Sequence, residues 1–220
     1  MTRTDLTPTT TGSRSIASAI FFDGSSIYAA GSYHDGAKYV PCYWVNNGAP
    51  IPLPVPNNQT GENSVMVFGL WVSGGTIYLS GNYWSDVKSK SIPCSWRVSG
   101  GSTTRTDLSD GTYSAMAFLC DFSTGTLYTS GNWEDGTKRI PCFWVGTKRT
   151  DLTGDSVDLA HQAYAADFIF AAGKIFVCGE YDDGTKQVPC YWTIQGSTIS
   201  RTDIPGDGSH DAFSGNMCLY

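Results

Sequence analysis

The chain has 220 residues, 40% of them hydrophobic and only 15% charged, with 25 Gly, 10 Pro, 7 Trp, 12 Tyr and 10 Phe. A net charge of −6 leaves no basic footprint, so nucleic acid and anionic membrane surfaces are excluded as expected partners. High aromatic content excludes long disorder, and the preference for aromatics, Thr and Gly over Ala, Leu, Glu and Lys excludes an ordinary helical bundle.

The chain opens on Met1-Thr2-Arg3-Thr4-Asp5-Leu6, with no charged stretch leading into an apolar one, so no signal peptide is expected. No apolar run approaches the ~18 residues a spanning helix needs, and no membrane span is expected either. The expectation is a cytoplasmic protein, or an exported one whose leader has been removed.

Four modules then follow in fixed order, four times over. The first is a run of alternating small and large residues, Ala17-Ser18-Ala19-Ile20, matched by Val67–Leu70, Ala117–Cys120 and Ala165–Phe168. The second carries an apolar–aromatic pair ahead of a glycine: Ile27-Tyr28, Ile77-Tyr78, Leu127-Tyr128 and Ile175-Phe176 precede Gly31, Gly81, Gly131 and Gly179. The third is Pro-Cys-aromatic-Trp or its variant, ending at Trp44, Trp96, Trp144 and Trp192, which lie 52, 48 and 48 residues apart. The fourth is Arg-Thr-Asp-Leu/Ile at Arg105–Leu108, Arg149–Leu152 and Arg201–Ile204, replaced after Trp44 by Ala49-Pro50-Ile51-Pro52-Leu53. A copy of the fourth stands alone at 3–6, and a copy of the first at 212–219 closes the sequence.

Each module is short, aromatic or β-branched and bounded by Gly, Asn, Asp and Ser, which predicts strands. Asp35-Gly36, Asp135-Gly136 and Asp183-Gly184 between the second and third modules are strong hairpin signals. Four antiparallel strands per ~50 residues, repeated, predict an all-β chain folded as a β-propeller of four-stranded blades. Single sheets with large groups on both faces must bury each other side by side. The repeat units span about 15–54, 64–108, 114–152 and 161–204 within one domain, with extra strands at 3–6 and 212–219. These end strands allow closure with four blades, closure at five blade positions, or a part of a larger or two-chain ring. Five positions is the preferred reading, and incomplete edges favour a homo-oligomer.

The unit, from its aromatic and glycine through Asp-Gly, Pro-Cys-Tyr-Trp and Arg-Thr-Asp-Leu, resembles repeats in uncharacterised bacterial propeller-like proteins, often secreted or lipid-anchored. The resemblance covers nearly all of residues 3–220 and implies a propeller fold and a secreted or cell-surface setting, but no catalytic residues. In layout the chain also resembles five-bladed lectin propellers, without their particular motifs.

Seven cysteines suggest metal or disulfides, but Cys42, Cys94, Cys142 and Cys190 take one repeat position in four blades, too far apart to bridge. No zinc spacing occurs. They are expected to be buried free thiols, and neither a metal nor any other cofactor is expected. The Asp of each Arg-Thr-Asp-Leu element is expected to cap a turn or pair with an Arg, and each module-three Trp to pack between blades. The candidate ligand-binding residues form a rim at the second-to-third-module hairpin: Tyr33, Asp35, Asn82, Tyr83, Trp84, Asn132, Trp133, Asp135, Tyr181 and Asp183. Aromatic rings beside planar polar groups suit sugar rings, and repetition adds avidity.

The primary functional expectation is a non-enzymatic binding or scaffolding propeller for a protein or glycan ligand. The alternative is a multivalent carbohydrate-binding lectin. A propeller hydrolase would need residues that break the repeat, and His161, Asp167, His210 and Asp211 are its candidates.

Overall fold

The computed structural model describes residue 6 and residues 14–56, 65–153 and 162–206. The expected end strands at 3–6 and 212–219 lie outside the described residues, apart from Leu6. Every regular element in this range is a strand.

Four sheets form, each of four antiparallel strands in sequence order. The first holds β1 (Ser15–Phe22), β2 (Ile27–His34), β3 (Tyr39–Val45) and β4 (Ile51–Pro52). The second holds β5 (Val65–Ser73), β6 (Thr76–Ser85), β7 (Lys90–Ser99) and β8 (Ser102–Asp107). The third is β9 (Ala115–Ser123), β10 (Thr126–Glu134), β11 (Arg139–Val145) and β12 (Lys148–Asp151), and the fourth is β13 (Ala163–Ala171), β14 (Lys174–Asp182), β15 (Gln187–Gln195) and β16 (Thr198–Asp203). The arrangement is propeller-like: each sheet is a blade whose faces meet the next blade. The first blade's outer strand is only two residues long, because Pro50, Pro52 and Pro54 cannot donate to a ladder.

Between the second and third strands of blades one, three and four, an aspartate opens a four-residue turn. Asp35 N–H donates to the Lys38 carbonyl (3.0 Å), and Asp135 and Asp183 repeat the bond to Lys138 and Lys186 (3.1 Å each). The glycine that follows has φ of 105°, 98° or 93° at Gly36, Gly136 and Gly184, a backbone region that L side chains strongly disfavour.

Blade-to-blade packing rests on the third-strand tryptophans. Trp44, Trp96, Trp144 and Trp192 are completely buried. The Trp96 indole N–H donates to the Pro54 carbonyl (2.8 Å) and that of Trp144 to the Leu108 carbonyl (3.1 Å), both on the preceding blade. Leu53, Leu108 and Leu152, which end the fourth module, pack in the same clusters as Trp96, Trp144 and Trp192 of the next blade. Leu6 packs against the Trp44 cluster in the same way.

The proline before each cysteine stands inside its strand rather than at a bulge, and its carbonyl accepts the N–H of Leu53, Leu108, Leu152 or Ile204, each at 2.8 Å. The irregularity falls instead in every first strand, where register shifts between Ala17 and Ala19, Val67 and Gly69, and Ala165 and Asp167, with a matching shift beside Thr129 and Gly131. The bulge turns a carbonyl toward the preceding blade. Ser80 donates to the Phe118 carbonyl (2.5 Å), Ser130 to that of Ala166 (2.9 Å) and Ser18 to that of Val67.

At the bulge the first strand comes so close to the second that only glycine fits. A Cβ on Gly131 would overlap the Met116 carbonyl and sit 2.7 Å from the Trp144 ring, and Gly179 is confined in the same way by Tyr164 and Trp192. Gly131→Ala is therefore expected to destabilise the fold by about 3 kcal/mol, at the upper end for an overpacked core, as measured by denaturant unfolding.

Candidate functional site

The rim aromatics are held by the fourth module, one blade at a time. In the third blade, the Trp133 indole N–H donates to Asp151 (2.9 Å), and Arg149 pairs with that carboxylate (3.0 Å) while its guanidinium lies 3.8 Å from the Trp133 ring centroid. In the fourth blade, the Tyr181 hydroxyl donates to Asp203 (3.1 Å), which pairs with Arg201 (2.8 Å), and Arg201 lies 3.7 Å from the ring centroid. The second blade repeats this with Tyr83, Asp107 and Arg105, at 3.0 Å for both polar contacts and 4.8 Å for the cation–π contact. Each ring thus has one face covered by a guanidinium. Burial first, and then Asp107, push the Tyr83 hydroxyl up to about 12. Tyr33 has no such Arg-Asp pair on β4 and packs against the cluster of Ala29, Cys42 and Trp44.

The rim aspartates are engaged by their own turns. Asp35 accepts the N–H groups of Ala37 and Lys38 (2.9 Å each). Asp135 and Asp183 accept the corresponding pair of N–H groups and also the Thr137 or Thr185 hydroxyl. These bonds favour the charged form and hold all three carboxyls below the usual range, Asp135 at about 2.

The remaining rim candidates, Asn82, Trp84 and Asn132, come together. They line a cavity of about 670 Å³ between the second and third blades, with Met66, Ser91, Ser114, Ala115, Met116, Glu134 and Arg139. Asn82 and Asn132 occupy the same position on β6 and β10, opposite Met66 and Met116 on the neighbouring strand. Both amides are buried (7% and 3% exposed), and the Asn82 amide N–H donates to the Ser91 hydroxyl (2.9 Å). Both side-chain oxygens are buried without a hydrogen-bond partner. Trp84, on the hairpin with two extra residues, is 40% exposed. Arg139 pairs with Glu134 (3.2 Å) and donates to the Tyr164 hydroxyl (2.6 Å). Sequence reasoning did not single out Glu134, Arg139 or the methionines, because blade-to-blade neighbours are far apart along the chain.

A second cavity, of about 450 Å³, is lined by the first strands of all four blades, including Phe21, Trp71, Asp121 and Asp167. Asp167 accepts the Phe168 N–H (2.6 Å), and burial raises the Asp121 carboxyl. The other hydrolase candidates, His161, His210 and Asp211, lie outside the described residues. Among the described residues six cysteines are buried and none forms a disulfide, and burial pushes the thiols of Cys42, Cys120 and Cys190 up to about 12. Among the described residues no group of three metal-ligating side chains occurs, and no helix is long and apolar enough to cross a membrane.

No protein-family description and no curated protein matches the chain. Solved structures do. An ulvan lyase of polysaccharide lyase family 25 superposes with a TM-score of 0.54 at 13% identity, over 88% of this chain and 55% of that one. A thermostable family-43 glycoside hydrolase gives 0.55 at 9% identity, over 86% of this chain and 71% of that one. The chain thus spans about half the length of the lyase. At these identities the likeness carries the fold and no residue roles. It corrects one expectation, because both structures are of enzymes that process carbohydrate. The reading of a non-enzymatic scaffold presenting loops is set aside, and the glycan alternative stands better.

The turn aspartates set an acid limit. A depressed carboxyl stabilises the fold above its ordinary pKa of 3.8 and ceases to do so as pH falls toward the folded value of about 2 at Asp135. Asp135→Asn is expected to flatten the loss of stability between those two pH values, as followed by urea unfolding at stepped pH.

Proposed function

We propose that the protein binds carbohydrate in the cavity between its second and third blades. The observation that carries this reading is Trp84, an exposed indole beside a cavity whose polar lining is amide, hydroxyl and one carboxylate–guanidinium pair. An indole face packs on sugar C–H groups, and a few fixed polar groups then orient the ring. The volume of about 670 Å³ lies in the range of ordinary small-ligand sites. The fold shared with two carbohydrate-processing enzymes supports the same class of ligand.

The rim is not a set of equivalent sites. Tyr83, Trp133 and Tyr181 each have a ring face under an arginine, whereas Trp84 has no counterpart on the shorter hairpins. Glycan-array binding followed by calorimetry on a bound glycan is expected to show Trp84→Ala losing most of the affinity. Trp133→Ala is expected to lower the unfolding midpoint and leave affinity in place. Failure of the wild-type protein to bind any arrayed glycan disposes of the reading.

We further infer that the four blades surround an axis with a fifth position between the fourth blade and the first. Ile20 is 75% exposed, whereas its equivalents Leu70, Cys120 and Phe168 are 6%, 6% and 7% exposed under the preceding blade. Ile204 is 40% exposed, whereas Leu53, Leu108 and Leu152 are buried under the following one. Occupation of that position makes Ile20→Glu destabilising by roughly 2 kcal/mol, the cost of burying an unpaired polar group. A neutral effect in denaturant unfolding leaves the face open to water, and light scattering reports whether a second copy covers it.

A further inference from the structure

We infer that the chain closes its own ring: residues 212–219 supply the inner strand of the fifth position and residues 3–6 its outer one, and together they cover the open face of the first blade. The inference rests on the fifth position argued above and names its occupant. Its starting point is one face of β1. Ser15, Ala17 and Ile20 are exposed there, whereas the residues at the same three positions of β5, β9 and β13 are all buried. Ile16, Phe22 and Ile27 are exposed as well, and a cavity of about 640 Å³ is lined by Ala17, Ile20, Ile27 and Leu6. A contiguous apolar face of this kind marks a contact surface. Where blades do meet, the preceding blade's inner strand forms part of the cover at this level. The Ser18 hydroxyl of β1 donates to the Val67 carbonyl of β5, and a Cβ on Gly69 of β5 would strike the backbone of Phe118 and Cys120 on β9.

Leu6 fixes the outer side of the position. It packs against the Trp44 cluster at the place where Leu53, Leu108 and Leu152 of a preceding blade meet the next blade's tryptophan. It ends Arg3-Thr4-Asp5-Leu6, the spare copy of the fourth module. A second copy of the protein would bring a whole blade, and Leu6 already stands where that blade's outer leucine would go. For the inner side the chain holds a spare first module at 212–219, outside the described residues. It reads Ala-Phe-Ser-Gly-Asn-Met-Cys-Leu and matches Ala115–Phe122 in its pattern: alanine first, a large side chain second, a small one third, and apolar ones sixth and eighth. The connection is also of the right length. Eight positions separate Ile204 from Ala212, against seven from Leu108 to Ala115 and twelve from Leu53 to Val65. The match sets Met217 level with Ile20, Leu70, Cys120 and Phe168, all of which line the axial cavity. Neighbouring repeats shield each other's faces, and here the two ends of one chain shield the face that the four blades leave open.

The test is amide hydrogen exchange of the full chain, followed by mass spectrometry. In the wild-type protein, peptides covering 212–219 are expected to exchange as slowly as those covering β9 and β13. Met217→Asp is expected to lower the thermal midpoint by several degrees and to remove most of the protection from β1, which is remote in sequence and lies across the gap. The midpoint is expected to stay constant on serial dilution, because both ends belong to one chain. Free-chain exchange over 212–219 in the wild-type protein overturns the inference without need of any variant. So does a Met217→Asp protein in which β1 keeps its protection. A midpoint that falls on dilution, with the light scattering of a dimer, overturns it in favour of a second copy and leaves the fifth position standing. A neutral Ile20→Glu removes the position and its occupant together.

Discussion

A four-stranded sheet with large side chains on both faces cannot stand in water, and the burial of one blade's tryptophan against the blade before it is the contact on which everything else depends. Trp96 and Trp144 show the interaction in full: a ring removed from solvent, and its one polar atom paired with a carbonyl at the end of the neighbouring blade's outer segment. Apolar burial supplies the energy, and at Trp96 and Trp144 the indole N–H adds a polar tie to the preceding blade. The glycine beneath the ring, the first-strand bulge and the proline ahead of each cysteine all follow from bringing strands close enough to make this seat.

The Arg-Thr-Asp-Leu element serves the same end from the outer edge. Its leucine goes under the next blade's tryptophan. Its arginine and aspartate clamp an aromatic ring two strands away, joining three strands of one blade by a cation–π contact and two polar bonds. Exposed ion pairs add little by themselves, but this one also covers a ring face and takes up its N–H or O–H. Repetition in this chain is therefore mostly the signature of packing.

The repeat is broken in the middle blades. Two inserted residues lengthen one hairpin and bring Trp84 to the surface, and asparagine replaces serine or glutamate at one interior position of the middle blades. The asparagines leave buried side-chain oxygens without a hydrogen-bond partner. The fold they sit on is shared with a polysaccharide lyase and a glycoside hydrolase.

The all-β class, the four-strand unit and the buried cysteines were legible in the sequence, because strand pairing within a blade is local and each turn carries its own Asp-Gly chemistry. Which rim residues share a cavity was not legible, since Asn82 and Asn132 lie fifty positions apart and meet only because two sheets stack face against face. The partners of Tyr83, Trp133 and Tyr181 were likewise hidden: the Arg-Thr-Asp motif announces an ion pair, but only strand register shows that the pair lies over a ring. Local spacing determined the blades by itself, while the packing of one blade on another decided which side chains were sealed and which were clamped.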